Sequence, residues 1–100
     1  MAAVVECTLS VRPGHYSEVL YMCLEFDQTY IDINPALVSQ LVVGDESARI
    51  VRGIGLYADH AEAAAVNSEA FFGDFMDVVE PLIEGAPTRF PLDLVHAWSK

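Results

Sequence analysis

Between Ala3 and Val11 the chain alternates, with Val5, Cys7, Leu9 and Val11 on one side and Glu6, Thr8 and Ser10 on the other. A period of two predicts a half-buried strand. Arg12-Pro13-Gly14 breaks the pattern. From His15 the apolar positions Tyr16, Val19, Leu20, Cys23, Phe26 and Tyr30 recur at spacings of three and four, which predicts an amphipathic helix to about Thr29. Asn34-Pro35 marks a turn, because the residue before a proline is pushed away from helical dihedrals, and a second strand follows near Leu37 to Val43. The polar loop Gly44-Asp45-Glu46-Ser47 separates it from a third strand, Ala48 to Tyr57, so the two should pair as an antiparallel hairpin. Asp59, with Glu62 three residues on, has the form of a capping box and opens a second helix. Its apolar residues are Val66, Phe71, Phe75, Met76, Val79 and Ile83, with an interruption expected at Asn67-Ser68, a weak last turn at Pro81 and an end at Gly85-Ala86-Pro87. Beyond it, Phe90, Leu92, Leu94, His96 and Trp98 stand at period two and predict a fourth strand from Thr88 to Trp98.

The order βαββαβ is the ferredoxin-like, split βαβ arrangement, and right-handed crossovers put both helices on one face of a four-stranded antiparallel sheet. One hundred residues make a single α+β domain spanning 1–100, and with 53% apolar and 20% charged residues the chain has ample material for a core. The other sheet face has no third helix to cover it. So apolar a chain, this short, is expected to form a homodimer in which two sheets pack face to face as a dimeric α+β barrel. Fifteen acidic residues against five basic ones, a net charge of −10, argue against nucleic acid or an anionic membrane surface as partner. No apolar run reaches the roughly 18–20 residues of a membrane span, and the start Met1-Ala2-Ala3-Val4-Val5-Glu6 lacks the basic and apolar regions of a signal peptide, so a soluble, cytoplasmic protein is expected.

Candidate chemistry is sparse. Cys7 and Cys23 sit among apolar neighbours and are expected to be inert buried thiols. His15, His60 and His96 lie singly in different segments, without the paired spacing of a metal site, and His60-Ala61-Glu62 lacks the second cysteine motif of a zinc deaminase. No metal is expected. Tyr57, Asn67, Phe71, Phe75 and Trp98 are candidates for a flat aromatic pocket, with the Asn67 amide bonding a phenol or quinone oxygen and Trp98 helping to orient it; the alternative is ordinary core. Gly53 and Gly55 share a strand face with Val51 and Tyr57, where absent side chains leave either a hollow for a planar ligand or a bend. Arg52 falls on the opposite face and calls for a counter-charge, for which Glu6 is the expected partner. His60, at the positive end of a helix, is a candidate general base as a neutral imidazole, although the first turn is also an ordinary exposed position. Asp74, Asp77, Glu80 and Glu84 form a solvated helix stripe.

Three stretches carry a family likeness: Val11-Arg12-Pro13-Gly14 at the entry to the first helix; Leu56-Tyr57-Ala58-Asp59-His60-Ala61-Glu62-Ala63 followed by Asn67-Ser68-Glu69-Ala70-Phe71; and Glu80-Pro81-Leu82-Ile83-Glu84-Gly85-Ala86-Pro87. Together they resemble the antibiotic biosynthesis monooxygenase family, over most of the chain. The resemblance implies a dimeric α+β barrel with a pocket between helices and sheet in each subunit. It also implies an activity drawn from a group that includes cofactor-independent, quinone-forming oxygenases and haem-degrading enzymes, beside members without assigned chemistry. The expectation is an oxygenase of small aromatic or polyketide-like molecules that needs no cofactor; a non-catalytic small-molecule-binding or structural dimer is the alternative. The chain departs from the family where many members carry histidines: Ala65 and Ala70 occupy those places. Tyr57 stands where haem-degrading relatives have a tryptophan pressing on the porphyrin.

Overall fold

The alternating segment at the start of the chain forms β1 (Ala3–Ser10), the central ladder of a sheet that the computed structural model describes over residues 2–100. Its inward residues Ala3, Val5 and Leu9 are buried. Helix α1 (Tyr16–Ile33) then lies across the sheet. It runs one turn beyond the expected end because Asn34 finishes it with side-chain and backbone bonds together. The Asn34 N–H donates to the Tyr30 carbonyl at 3.1 Å, and its Nδ2 donates to the Tyr30 hydroxyl at 2.9 Å. Its Oδ1 accepts from the Ala36 N–H, which shapes the turn into β2 (Leu37–Asp45).

β2 and β3 (Ile50–Tyr57) form the expected antiparallel hairpin. β3 begins two residues later than its β-branched run suggests, since Arg49, in the left-handed region at φ 56°, closes a turn onto Glu46 while Asp45 accepts from the Ala48 N–H. A bulge between Leu37 and Ser39 shifts the register of β2. Strict alternation would set Leu37, Leu41 and Val43 on one face. The bulge instead turns Leu37, Gln40 and Val42 towards the helices, opposite Tyr57, Gly55 and Gly53, and sends Leu41 and Val43 to the open face.

Asp59 caps α2 (His60–Ala65) as expected, its Oδ1 accepting from the N–H groups of Ala61 and Glu62. The interruption at Asn67-Ser68 is a single 3₁₀ turn, Val66–Ser68, after which α3 (Ala70–Val79) resumes in a new direction. Pro81 sits in a closing 3₁₀ turn, Glu80–Leu82, and Gly85 takes φ 75° in the exit. β4 is Arg89–Asp93. The expected strand to Trp98 stops five residues early because β1 begins opposite Asp93; the Leu94 N–H reaches the Ala2 carbonyl, and past that bond no neighbouring backbone remains to pair. Trp98 is consequently 75% exposed, in a tail outside the sheet.

The sheet order β2-β3-β1-β4, antiparallel throughout with the helices on one face, is the ferredoxin-like α+β fold. Arg52 and Glu6 meet on the open face at 3.2 Å, with Thr8 accepting a further bond from Arg52 Nε. Beside them that face exposes Leu41, Val43, Phe90 and Leu92. On the covered face the core has two parts. One packs Leu9, Val11, Val19, Val51, Val79 and Ile83; the other gathers Ala3, Val5, Tyr30, Tyr57, Ala63 and Val66 with a shell of phenylalanines. Among the described residues no helix is long and apolar enough to cross a membrane.

Candidate functional site

A cavity of about 70 Å³ opens where the two parts of the core meet, between α1, α3 and the sheet. A single water needs roughly 10–15 Å³ of such space, so the room is that of a small ring rather than of a solvent molecule or two. Phe26, Tyr30, Tyr57, Phe72 and Phe75 supply its walls and the Gly53–Gly55 stretch its floor. Both glycines pair regularly with β1, opposite Cys7 and Val5, so they leave a hollow and not a bulge. Gln40 leans into that hollow: a Cβ on Gly55 would lie 2.7 Å from its Oε1.

Arg89 crosses from the β4 edge to the mouth of the cavity. Its Nη2 donates to the Tyr57 hydroxyl at 2.9 Å and its Nη1 to the Ala63 carbonyl at 2.6 Å, while the guanidinium carbon lies 5.5 Å and 5.6 Å from the ring centres of Tyr57 and Phe72. Among the described residues no carboxylate pairs with it. Asn67 sits outside the cavity and grips Arg89 twice, its Nδ2 donating to the Arg89 carbonyl at 3.3 Å and its Oδ1 accepting from Nη1 at 3.4 Å. It holds the cation in place rather than lining the pocket. The Tyr57 and Tyr30 hydroxyls are 2.6 Å apart, and burial pushes the Tyr30 phenol well above its ordinary range, with the hydrogen bond to Tyr57 adding to the effect.

The opposite end is built from Asp27 of α1 and Gln40 of β2. One oxygen of each, Asp27 Oδ1 and Gln40 Oε1, is shut away from water without a hydrogen-bond partner. Burial raises the Asp27 carboxyl above its usual 3.8, an effect the Gln40 amide partly offsets. Cys7 and Cys23 also face the cavity as free thiols; burial raises both, Cys23 to about 12, which keeps them protonated near neutrality.

Of the residues singled out from sequence, Tyr57, Phe75, Gly53 and Gly55 come together around this space. Phe71 does not line it. Its ring stacks on Phe26 at 4.9 Å and on Tyr30 at 6.5 Å, behind the wall. His60 does not reach it either, since as first residue of α2 its Nε2 points to Asp93 at 3.7 Å. Trp98 lies in the exposed tail. Sequence reasoning missed Arg89, Asp27 and Gln40. Only Asp27 left a trace, as an acid one position from Phe26 on the inward stripe of α1; Gln40 was hidden by the bulge and Arg89 by the distance along the chain to its partners. A haem does not fit these residues, because no imidazole lines the cavity, both thiols are held protonated and the space is a fraction of a porphyrin's.

No family model matches the sequence, and no curated protein does so. Solved structures do match in shape. A provisionally named antibiotic biosynthesis monooxygenase from Caulobacter crescentus superposes with a TM-score of 0.81 at 20% identity, covering 95% of this chain and 91% of that one. One of the same provisional name from Bacteroides thetaiotaomicron gives 0.77 at 14% identity, over 99% and 94%. The Rv0793 protein of Mycobacterium tuberculosis gives 0.82 at 10% identity, over 99% and 100%. At these identities what is shared is architecture: the chain has the ferredoxin-like α+β fold of these proteins, nearly end to end.

Proposed function

We propose that this protein is a homodimeric, antibiotic biosynthesis monooxygenase-like oxygenase that takes a small flat phenolic molecule between its helices and sheet and oxidises it with dioxygen, without a cofactor. The observation that carries this reading is Arg89: a guanidinium without a carboxylate partner, fixed between two aromatic rings at the mouth of an aromatic-walled cavity. A half-buried cation needs a compensating charge, and a substrate phenolate supplies one. In such a reaction the electrons come from the substrate. The phenolate, stabilised by Arg89 and the Tyr57 hydroxyl, passes electrons to dioxygen, and a methylene carbon so activated becomes a carbonyl with release of one water, CH2 + O2 → C=O + H2O. The protein's part is to orient the ring, stabilise its oxygen and keep bulk water out. Asn67 acts through Arg89 as a positioning residue.

Oxygen uptake with a panel of anthrones and hydroquinones tests the activity. Uptake by the native chain that falls at least about tenfold in Arg89→Leu is expected, the loss of one charge-assisted bond to the reacting oxygen. The second reading, a non-catalytic binding protein, rests on the absence of any imidazole in the cavity and on thiols and a phenol held protonated; tight binding of the same compounds without uptake selects it. The homodimer is supported by the open face, where Leu41, Phe90 and Leu92 are each at least 60% exposed beside Ile54 and Leu56. Sedimentation at micromolar concentration should show a dimer, and Leu41→Glu a monomer.

A further inference from the structure

The two ends of the cavity have opposite hydrogen-bonding character, and that polarity specifies more of the ligand than its flatness. Arg89 and Gln40 come from opposite edge strands of the sheet, β4 and β2, with β1 and β3 between them. Three strand spacings separate their backbones by roughly 14 Å, so both side chains reach inward over the glycine floor from opposite sides.

The Arg89 end has donors to spare. Arg89 Nη2 donates to the Tyr57 hydroxyl and Asn34 Nδ2 to the Tyr30 hydroxyl, each at 2.9 Å, and the two hydroxyls bond each other at 2.6 Å. Two phenols carry two protons. One closes the bond between them, and the other has no acceptor within the cluster. With the unpaired guanidinium beside it, this end calls for an oxygen that accepts. The Gln40 end has acceptors to spare, since Asp27 Oδ1 and Gln40 Oε1 are both buried without a donor. Leaving such atoms unsatisfied is destabilising, and a site that maintains them is matched to a donor absent from the chain itself.

We propose that Asp27 and Gln40 form an acceptor subsite for a hydroxyl hydrogen of the ligand, so that the cavity selects a two-ended aromatic: an accepting oxygen against Arg89 and Tyr57, and a donating O–H across the ring against Asp27 and Gln40. This rests on the proposed binding of a flat phenolic molecule, but it assigns the far end of that molecule, which Arg89 does not touch. Asp27 and Gln40 thereby become specificity-determining residues.

Calorimetric titration with hydroquinone and with its dimethyl ether, which has the same ring and no donors, tests the assignment. The native protein should prefer hydroquinone by at least about tenfold, the ratio expected of one hydrogen bond to a charged acceptor. Asp27→Leu and Gln40→Leu should each cut that preference several-fold while binding the dimethyl ether at least as well as the native chain does. Thermal unfolding is the second readout. Both variants should melt at or above the native midpoint, because each removes an unsatisfied buried atom. An unchanged hydroquinone preference in both variants overturns the subsite and leaves the binding reading intact. Failure of the native chain to bind either compound overturns both. A fall in melting temperature in both variants shows that the two acceptors are already satisfied within the protein, and likewise overturns the assignment.

Discussion

The two halves of the covered core are made of different materials and do different work. Around Val11, Val19, Val51, Val79 and Ile83 the side chains are aliphatic, mostly β-branched and buried to within 2% of completely. Such side chains have few rotamers and fill space evenly. The half around Tyr30 and Tyr57 mixes planar rings with two hydroxyls, an asparagine, an arginine and two glycines. Rings of this size cannot tile a volume beside a side-chain-free strand floor, and the cavity opens at the seam between the halves. The lesson is a division of labour: evenly packed aliphatics secure the fold, and imperfectly packed aromatics with polar ends make room for chemistry.

Substitutions in the two halves should therefore separate stability from binding. The largest effect is expected from Leu9→Ala, which removes a buried side chain from the aliphatic half and should reduce unfolding free energy by about 2–5 kcal/mol in urea titrations. Hydroquinone affinity of the fraction still folded should stay within about threefold, a span of under 1 kcal/mol; a parallel loss of binding would erase the distinction. Next comes Tyr57→Phe, which strips Arg89 and Tyr30 of a shared partner. It should lower stability by about 1–3 kcal/mol and weaken binding as well, the mark of a residue serving both purposes.

A smaller and pH-dependent effect is expected at Asp27. Burial raises its carboxyl above 3.8, so the folded chain holds this proton more tightly than the unfolded chain does. The resulting stabilisation is complete below the unfolded value and is lost as pH rises through the folded one. Asp27→Asn, which cannot ionise, should match the native melting temperature in strong acid and gain on it as pH climbs past the carboxylate range. A gap that is constant with pH would mean that Asp27 is not desolvated. The smallest effect should come from Gly55→Ala. Its new Cβ would fall 2.7 Å from Gln40 Oε1 and 3.0 Å from the Tyr57 ring, so Gln40 must swing away. Stability should change by no more than about 1 kcal/mol, because the near atom ends a flexible side chain, while hydroquinone binding drops several-fold.

Much of the fold was legible because it is written in short-range signals. The alternation of β1, the three-and-four spacing of α1, the cap at Asp59 and the break at Asn67-Ser68 each depend on residues within a few positions of one another. The pairing of Arg52 with Glu6 was also legible, once their strands were assigned opposite faces from Val51 and Val5. Element ends were less so. Period two continues to Trp98, but a strand lasts only as long as it has a neighbour, and β1 begins opposite Asp93. The site was read least well of all. Tyr57, Phe75 and the two glycines were found because they sit on inward faces, whereas Phe71 and His60, equally plausible by type, point elsewhere.

What the sequence determined alone is the order and kind of the elements, because hydrophobic periodicity and caps act over one or two turns of chain. The tertiary structure decided which polar groups meet. A single bulged residue in β2 turned Gln40 inward, and closure of the sheet brought Arg89 from the far edge to Tyr57 and Asn67, more than twenty residues away in sequence. Side-chain facing inverts with a one-residue shift of register, and contacts between edge strands exist only once the whole sheet has formed. Neither is recorded in any local window of the chain.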